Sequence, residues 1–266
     1  MDGRPIGIFD SGLGGMTAAK VLEELLPGED LIYFGDSGRM PYGGRTLEEL
    51  RHFARTDAAF LLSHGVKAIL VACGTISSNA MGYLRESFDL PFFGVVESAC
   101  RAAAERSEGR VGIIATQASI KSGAYEKGVK ARNGGLEVIS RACPSLVPLV
   151  ESGHFLPGDP LAEEAVRREL RDIRDADVDT LILGCTHFPL VEEIISGFVG
   201  SNVRLVSAGA EAAGDLAAHL REQGLLSGKS GGGTRRYFTS GDRAFFAATA
   251  AHFLGHPVEP ETYIAE

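Results

Sequence analysis

Short apolar runs alternate with stretches of helical periodicity along the chain of 266 residues. The runs are rich in β-branched residues, as is typical of strands buried on both faces. They predict strands at 5–10, 30–35, 68–73, 92–96, 111–115, 136–141, 180–184, 203–206 and 236–239. The amphipathic stretches predict helices near 14–26, 46–64, 76–88, 98–106, 119–132, 159–175, 189–198, 209–223 and 241–253. Buried strands separated by helices predict an α/β fold with mostly parallel sheets.

The chain also contains an internal repeat. Ala68–Thr75 and Asp179–Thr186 are both strands that end in a cysteine, with a threonine one or two residues further on. Ile6–Ser11 and Val111–Thr116 are both strands that end in a hydroxyl residue before a helix. The repeat favours two α/β halves over one domain. The glycine-rich segment 227–234 is predicted to be a flexible loop, and too little chain follows it for a third domain, so its strand and helix must pack on an earlier half.

Charge and composition argue against several classes of function. The chain has 26 Lys and Arg against 35 Asp and Glu, a net charge of -9, which argues against nucleic-acid binding. The longest apolar runs are far shorter than the ~20 residues that span a bilayer, and no signal peptide opens the chain, so no membrane partner is expected. Four cysteines stand apart without a CxxC pair, which favours reduced thiols in the cytoplasm.

The first strand ends in an acidic residue and a glycine-rich turn, at the edge where open α/β sheets bind ligands. Asp10 and Ser11 precede three glycines that are expected to turn backbone N–H groups toward a ligand. An ordinary helix cap with a tight turn explains the same residues. A dinucleotide phosphate loop, with Asp36 as the ribose ligand, is a rival hypothesis, but Asp10 would repel a pyrophosphate.

Other polar residues follow later strands. Tyr42 lies in a long polar loop after the second strand and is expected to offer a hydroxyl and an apolar wall to a pocket, although a solvated turn is the alternative. Thr116 and Ser119 place hydroxyls at the start of a helix, where they suit a carboxylate. Glu151 ends an apolar run punctuated by prolines, a position that is more often simply surface.

Two cysteines are the sharpest feature of the sequence. Cys73 and Cys185 each end a predicted strand before a helix, whose N-terminal dipole favours the thiolate. Strand cysteines are usually apolar fillers, but matching positions in two similar halves argue against that role here. Cys100 and Cys143 are interpreted as fillers, since neither is predicted to end a strand before a helix. His187 follows Cys185 by two residues and is a candidate proton partner.

Two thiols on opposite sides of a cleft suit a symmetrical proton transfer. One thiolate removes a proton from one face of a carbon, and the other thiol returns one to the opposite face, while local N–H groups stabilise the carbanionic transition state. None of the six lysines is predicted at a strand end facing the cleft, which disfavours a pyridoxal Schiff base. Zinc at Cys185 and His187 would lack further ligands. A Cys/His hydrolase would leave the second cysteine without a role. No metal or other cofactor is expected.

At these positions the chain resembles the glutamate racemases of the cofactor-independent aspartate/glutamate racemase superfamily. The matching motifs follow in order from residue 6 to about 190. They are Phe9–Gly15, Tyr33–Asp36, Pro41–Gly43, Ala72–Thr75, Ala115–Thr116, Ala142–Pro144, Val147–Glu151 and Leu183–His187. The resemblance implies a homodimeric enzyme that interconverts L- and D-glutamate and supplies D-glutamate for bacterial peptidoglycan.

The resemblance also implies roles for individual residues. Cys73 would take the α-proton of D-glutamate and Cys185 that of L-glutamate. Asp10 and His187 would assist these thiols, and Glu151 would lie in the site. Further substrate contacts are expected from residues that follow the strands of both halves: Ser11, Asp36, Tyr42, Gly43, Gly74, Thr75, Thr116, Ser119 and Thr186.

The domains implied by the resemblance are discontinuous, with the site in the cleft between them. Residues 1–96 and 209–266 would form the first domain, and residues 97–208 the second, each with one of the two thiols. In one respect the chain departs from the family, which usually has Cys-Asn-Thr around the first thiol where this chain has Gly74. The lost amide would cost about 1–2 kcal/mol of substrate binding unless Asn79 or a water replaces it.

Substrate preference is therefore less firmly predicted than reaction type. An aspartate racemase or a related carbon-acid enzyme of the same superfamily is the first alternative, and comparing turnover of glutamate and aspartate separates the two. A non-catalytic amino-acid-binding module built on the same halves is the second. Tight binding without proton exchange would identify it.

Overall fold

The computed structural model describes residues 1–264. Its strands are β1 Ile6–Asp10, β2 Leu31–Gly35, β3 Ala68–Val71, β4 Phe92–Gly94, β5 Arg110–Ala115, β6 Glu137–Ala142, β7 Thr180–Leu183, β8 Arg204–Ser207, β9 Arg235–Thr239 and β10 Glu261–Thr262. Its α-helices are α1 Met16–Leu25, α2 Leu47–Ser63, α3 Gly74–Asn79, α4 Met81–Ser87, α5 Val95–Arg106, α6 Gln117–Ser122, α7 Ala124–Arg132, α8 Leu146–Glu151, α9 Pro160–Glu169, α10 Arg171–Asp175, α11 Glu192–Val199, α12 Ala208–Glu222 and α13 Arg243–Leu254. Short 3₁₀ turns lie at Ser37–Arg39, Tyr42–Gly44 and Phe188–Val191.

The strands form two sheets in which every pairing is parallel. The first sheet has the order β10-β9-β2-β1-β3-β4, and the second has the order β6-β5-β7-β8. The strand order β2-β1-β3-β4 is therefore repeated as β6-β5-β7-β8. This confirms the predicted α/β class with two similar halves, because the repeat seen in the sequence is also a repeat of topology.

The segment after the glycine-rich loop belongs to the first sheet. β9 pairs with β2 along its whole length, and β10 extends the sheet beyond β9. A hydrogen bond from the main-chain N–H of Leu31 to the carbonyl oxygen of Thr234 begins this pairing. The division of the chain into domains at residues 97 and 209 stays a proposal, which this sheet membership supports.

Three predicted helices are each split in two. The stretches 76–88, 119–132 and 159–175 become α3 with α4, α6 with α7, and α9 with α10. The second break falls at Gly123, whose φ of +67° ends one helix and starts the next. Helix α8 was not predicted, because its proline-punctuated sequence argues against a helix. Among residues 1–264, no helix combines the length and the apolar character needed to cross a bilayer.

A buried ion pair holds the amino-terminal edge of the first sheet. The Lys67 ammonium lies 2.5 Å from a Glu29 carboxylate oxygen and donates to the carbonyl oxygens of Asp2 and Leu225, both at 2.8 Å. The second Glu29 oxygen accepts from the main-chain N–H of Ser227 at 2.6 Å. This one pair therefore connects the start of the chain, two crossover loops and the segment that returns from the second half.

Replacing Lys67 with methionine is expected to lower the free energy of unfolding by about 3–5 kcal/mol, because Glu29 would remain buried without its partner. Urea denaturation measures the loss. The matched control is Lys130→Met, which breaks an exposed pair with Glu126 and is expected to cost less than about 1 kcal/mol. Equal, small losses in both variants would contradict a stabilising role for the buried pair.

Candidate active site

One cavity of about 620 Å³ lies where the carboxyl ends of the two sheets face each other. The loops after β1, β2 and β3 form one wall, and those after β5, β6 and β7 form the other. Most of the predicted site residues line it: Asp10, Ser11, Tyr42, Gly43, Cys73, Gly74, Thr75, Thr116, Glu151, Cys185, Thr186 and His187. The topology thus brings one candidate thiol from each half into a single cavity.

The second thiol has an acid–base partner that is itself held by a carboxylate. His187 Nδ1 lies 3.8 Å from the Cys185 sulfur, and its Nε2 lies 3.0 Å from a Glu151 oxygen. The Phe253 ring is nearly perpendicular to the imidazole, with 6.0 Å between the ring centroids. Glu151 comes from the end of α8, so its apolar, proline-containing run serves to place a carboxylate behind the histidine.

The environment of His187 favours its protonated form. Burial alone would lower the pKa of His187, but the contacts with Cys185 and Glu151 outweigh burial and raise it to about 10. At neutral pH the imidazolium therefore lies between a carboxylate and a sulfur atom. Such a cation stabilises negative charge on the Cys185 sulfur.

The first thiol has a different neighbour, the carboxylate of Asp10. One Asp10 oxygen accepts hydrogen bonds from the main-chain N–H groups of Gly12 and Gly15, at 3.1 and 3.2 Å. The other oxygen, Oδ1, is buried and has no hydrogen-bond partner among residues 1–264. The expectation that the glycine-rich turn points its N–H groups at a ligand is therefore wrong for these two glycines, because they hold Asp10 instead.

Burial and charge keep the first thiol protonated. Burial, followed by repulsion from Asp10, raises the pKa of Cys73 to about 12. Burial likewise raises the pKa of Asp10, while the nearby His187 opposes that change. The two thiols are therefore in unlike environments, one beside a cation and the other beside a carboxyl group.

The glycine-rich turn also brings the two halves together. A β-carbon built on Gly14 would lie 2.3 Å from the Thr186 hydroxyl and 2.6 Å from His187 Nδ1, so only glycine fits there. The Thr17 hydroxyl, at the start of α1, donates to the carbonyl oxygen of Gly14 at 2.9 Å and lies 3.2 Å from that of Thr186. The turn after β1 is thus packed directly against the Cys-Thr-His motif.

Tyr42 lines the cavity with its ring, while its hydroxyl points away from it. The hydroxyl donates to Asp36 Oδ2 and lies 3.1 Å from Asp57 Oδ2. Arg39 binds both carboxyl groups, at 2.5 and 2.6 Å. Tyr42 has one hydroxyl proton, so its second contact requires a proton on Asp57. Burial, together with the nearby Asp36, raises the pKa of Asp57 well above its usual range, in agreement with that proton count.

Two residues expected to contact substrate lie behind the cavity wall. Asp36 is fully buried and binds Arg39, Tyr42 and the Ser240 hydroxyl, so it is not available to a substrate or to a ribose. Ser119 is also buried, and its hydroxyl accepts from the Thr116 hydroxyl at 3.0 Å. Asp36 and Ser119 therefore support the wall residues Tyr42 and Thr116.

Asn79, suggested as a replacement for the amide missing at Gly74, is not in the wall either. Its side-chain amide donates to the carbonyl oxygen of Thr75 at 2.8 Å, within α3. The structure thus offers no side-chain amide at this point from Asn79.

Cys143 lies in the cavity wall, whereas its sequence context predicts an apolar filler. It follows β6 directly and precedes α8, so it does end a strand before a helix. It occupies the place in the second sheet that Asp36 occupies after β2 in the first. The sequence contains a signal for this placement, because the predicted strand 136–141 ends two residues before Cys143. Helix α8, which follows, is not predicted by the sequence pattern, so the position is not recognised as a strand end before a helix.

The wall carries little positive charge. Asp10 and Glu151 contribute carboxyl groups, and His187 contributes a cation. Across the described part of the chain, no lysine or arginine reaches the wall. Besides the His187 cation, the wall offers an anionic ligand hydroxyl groups such as those of Ser11 and Thr186, the side-chain amide of Gln117 and main-chain N–H groups.

Fold and site together define a class: an α/β protein with two similar halves and one thiol from each half in a shared cavity. A family model described as Asp/Glu/Hydantoin racemase matches residues 17–216, and the chain belongs to this family. Glutamate racemase of Thermus thermophilus is 45% identical over 255 residues, covering 96% of this chain and 94% of that protein.

Solved structures of similar proteins agree with this assignment. The glutamate racemase isoform RacE1 from Bacillus anthracis has a TM-score of 0.94 at 34% identity, covering 99% of this chain and 98% of that one. A glutamate racemase from Francisella tularensis in complex with D-glutamate has a TM-score of 0.91 at 33% identity, covering 100% and 98%. The family resemblance inferred from the motifs is thereby confirmed.

The raised pKa of His187 predicts a pH-dependent contribution to stability. The folded protein binds a proton there up to about pH 10, whereas an unfolded histidine releases it near pH 6.5. The stabilisation is therefore complete below pH 6.5 and falls between pH 6.5 and 10, by up to about 1.4 kcal/mol per pH unit. Urea denaturation from pH 6.5 to 8.5 is expected to show this slope in the wild type and to lose it in His187→Gln. Identical slopes would contradict the assignment.

Removing the cation that holds the Tyr42 loop is expected to loosen one wall of the cavity. Arg39→Gln removes the cation that binds Asp36 and the hydrogen-bond donor that binds Asp57, so hydrogen exchange in residues 37–44 should accelerate. Ligand affinity should fall by about tenfold, corresponding to roughly 1.4 kcal/mol. The control, Arg55→Gln, changes an exposed arginine of α2. Unchanged protection of 37–44 in Arg39→Gln would contradict the role of this cluster.

Proposed function

We propose that the protein is a glutamate racemase that interconverts L- and D-glutamate by proton transfer between two thiols, without a cofactor. The observation that carries the proposal is the shared cavity, in which Cys73 and Cys185 come from opposite halves and each has its own acid–base partner. The Thermus thermophilus relative and the two solved relatives named above are glutamate racemases, and one of those structures is a complex with D-glutamate, which supports glutamate over the alternatives.

From L- to D-glutamate, the Cys185 thiolate takes the α-proton and becomes a thiol. The imidazolium of His187, fixed by Glu151, stabilises that thiolate before the transfer. On the opposite face of the carbanion, the Cys73 thiol gives up its proton to Cα and becomes a thiolate. The raised pKa of Cys73 suits this step, because it keeps the thiol protonated until a strong base forms in front of it.

From D- to L-glutamate, the roles are exchanged. Cys73 must then lose its proton before it can act as the base. Asp10 is the group placed to help, because its Oδ1 atom is buried without a partner and is free to accept a proton. Cys185 then supplies the proton on the other face, as a thiol that His187 assists. Each direction thus uses both thiols and leaves them in exchanged protonation states.

The cavity binds a dicarboxylate without a lysine or arginine in its described wall. We assign this binding to the hydroxyl groups of Ser11, Thr75, Thr116 and Thr186, together with main-chain N–H groups such as that of Gly43. The low dielectric of a closed cavity strengthens such hydrogen bonds and stabilises the carbanionic transition state. Gly74 lines the same wall with its main chain.

The wider role follows from the family. We place the enzyme in the bacterial cytoplasm, where it supplies D-glutamate for peptidoglycan. Its four cysteines are free and buried in the structure, which supports a reducing compartment. We also expect a homodimer, which light scattering after size-exclusion chromatography would test.

The decisive experiment is proton exchange in D₂O with L- and D-glutamate and no added cofactor. Racemisation is followed by circular dichroism, and deuterium at Cα by NMR. Cys73→Ala and Cys185→Ala are each expected to lower kcat by at least about 10²-fold, because one of the two proton carriers is lost. Cys100→Ala, which changes a buried cysteine outside the cavity, is the control and should keep wild-type turnover.

Three results would contradict the proposal. Wild-type rates in both thiol variants would exclude the two-thiol mechanism. Faster turnover of aspartate than of glutamate would favour an aspartate racemase. Tight binding of glutamate without any exchange at Cα would identify a binding protein.

A further inference from the structure

The turn that carries the second thiol lacks one of its own main-chain hydrogen bonds. After β7 the chain follows a 3₁₀ pattern, in which the N–H groups of Phe188 and Leu190 each donate to the carbonyl oxygen three residues earlier, at 3.1 and 3.2 Å. The bond between these two would run from residue 189 to Thr186. It cannot form, because Pro189 has no N–H. The Thr186 carbonyl oxygen is therefore left without a donor from its own turn.

A side chain of the first half supplies the missing donor. The Thr17 hydroxyl lies 3.2 Å from the Thr186 carbonyl oxygen, and within residues 1–264 it is the one hydrogen-bond donor that reaches this oxygen. The same hydroxyl lies 2.9 Å from the Gly14 carbonyl oxygen, but that oxygen also accepts the main-chain N–H of Thr17 at 3.1 Å. Thr186 is buried, where an unpaired carbonyl group is costly. Of the two acceptors, therefore, only Thr186 depends on the hydroxyl.

This hydrogen bond lies beside the acid–base pair of the second thiol. Thr186 stands between Cys185 and His187 in the chain, so a shift of its carbonyl group turns both neighbouring residues. Gly14 packs against the side chains of the same motif, since a β-carbon there would lie 2.3 Å from the Thr186 hydroxyl and 2.6 Å from His187 Nδ1. The first half thus contacts the motif through its side chains at Gly14 and through its main chain at Thr17.

We infer that Thr17 is a positioning residue, whose hydroxyl holds the Thr186 carbonyl from the opposite half and so fixes the orientation of His187 toward Cys185. The inference rests on the proposed two-thiol racemisation, in which this histidine stabilises the Cys185 thiolate. The contact between Nδ1 and the sulfur spans 3.8 Å, so even a small rotation of the motif weakens it. Misplacement by about 1 Å can lower a rate by about 10²-fold.

The test compares two substitutions of Thr17. Thr17→Val keeps the branched shape of the side chain but removes the donor, whereas Thr17→Ser keeps the donor. In Thr17→Val we expect kcat to fall by about 10- to 100-fold, with KM changed less than about threefold. Thr17→Ser should keep the wild-type kcat. A residue that merely stabilises the fold would lower the free energy of unfolding in Thr17→Val and leave kcat unchanged.

The ionisation of His187 gives a second measurement. His187 faces Cys185, Glu151 and the Asp10 carboxyl group, and Thr17→Val is expected to weaken the contact with Cys185. The pKa of His187 should therefore fall from about 10 toward its ordinary 6.5 in Thr17→Val, but not in Thr17→Ser. NMR titration measures this pKa, and the spectrum of His187→Gln identifies the signal among the seven histidines.

Returning a donor to the turn itself gives a stricter test. Pro189→Ala restores the N–H that the 3₁₀ pattern lacks, so the Thr186 carbonyl regains a partner without the hydroxyl. We expect the double variant Thr17→Val/Pro189→Ala to recover the raised pKa of His187 and most of the lost kcat, relative to Pro189→Ala alone. If Thr17→Val does not fold, the double variant should recover folded protein as well. A role confined to the start of α1 would not be relieved by this change in the other half.

The matched control is Ser63→Ala, because the Ser63 hydroxyl makes a similar local bond within α2, to the Phe60 carbonyl oxygen at 2.7 Å. It should keep the wild-type kcat and the wild-type pKa of His187. Wild-type values of both in Thr17→Val, or a double variant no better than Thr17→Val, would overturn the inference. Failure of the proposed function is distinct, since the wild-type protein would then show no exchange at Cα of glutamate, while the pKa comparison needs no turnover.

Discussion

Close contact between the carboxyl ends of two parallel sheets is the constraint on which the rest of the structure depends. Parallel strands direct all their C-terminal loops to one edge of a sheet, and in this protein two such edges face each other. Two of these contacts fall at glycines: Gly14 packs against the side chains of Thr186 and His187, and Gly74 packs against the carbonyl oxygen of Gly184.

The same closeness creates the electrostatics of the site. Groups from loops far apart in sequence are buried together, so each one changes the ionisation of its neighbours. Cys185 shares its surroundings with an imidazolium that Glu151 stabilises, whereas Cys73 lies beside a carboxyl group that burial makes harder to ionise. Two similar halves have thus acquired unlike environments for their thiols, which suits a reaction in which one thiol begins as base and the other as acid.

The segment that returns to the first sheet supports both sides of the cavity. Ser240, just after β9, donates to Asp36 and so helps to hold Tyr42 in the wall. Phe253 of α13 packs on His187, the partner of the second thiol. The buried pair of Lys67 and Glu29 binds the connection that leads into this segment. The returning segment therefore contacts groups behind both walls of the cavity, Asp36 on one side and His187 on the other.

By itself, the sequence determined the architecture and most of the site. The hydrophobic periodicity of a strand or helix is a local property of the chain, so alternating apolar runs and helices identify buried parallel strands. Because the carboxyl ends of parallel strands lie at one edge of a sheet, these strands also predict which residues meet at the ligand-binding edge. Cys73, Cys185 and His187 could be found in that way. Only the tertiary structure decided that Asp36 turns inward to Arg39 and that Gly74 meets Gly184. These outcomes depend on distances between loops that are remote in sequence, and no local pattern encodes such distances.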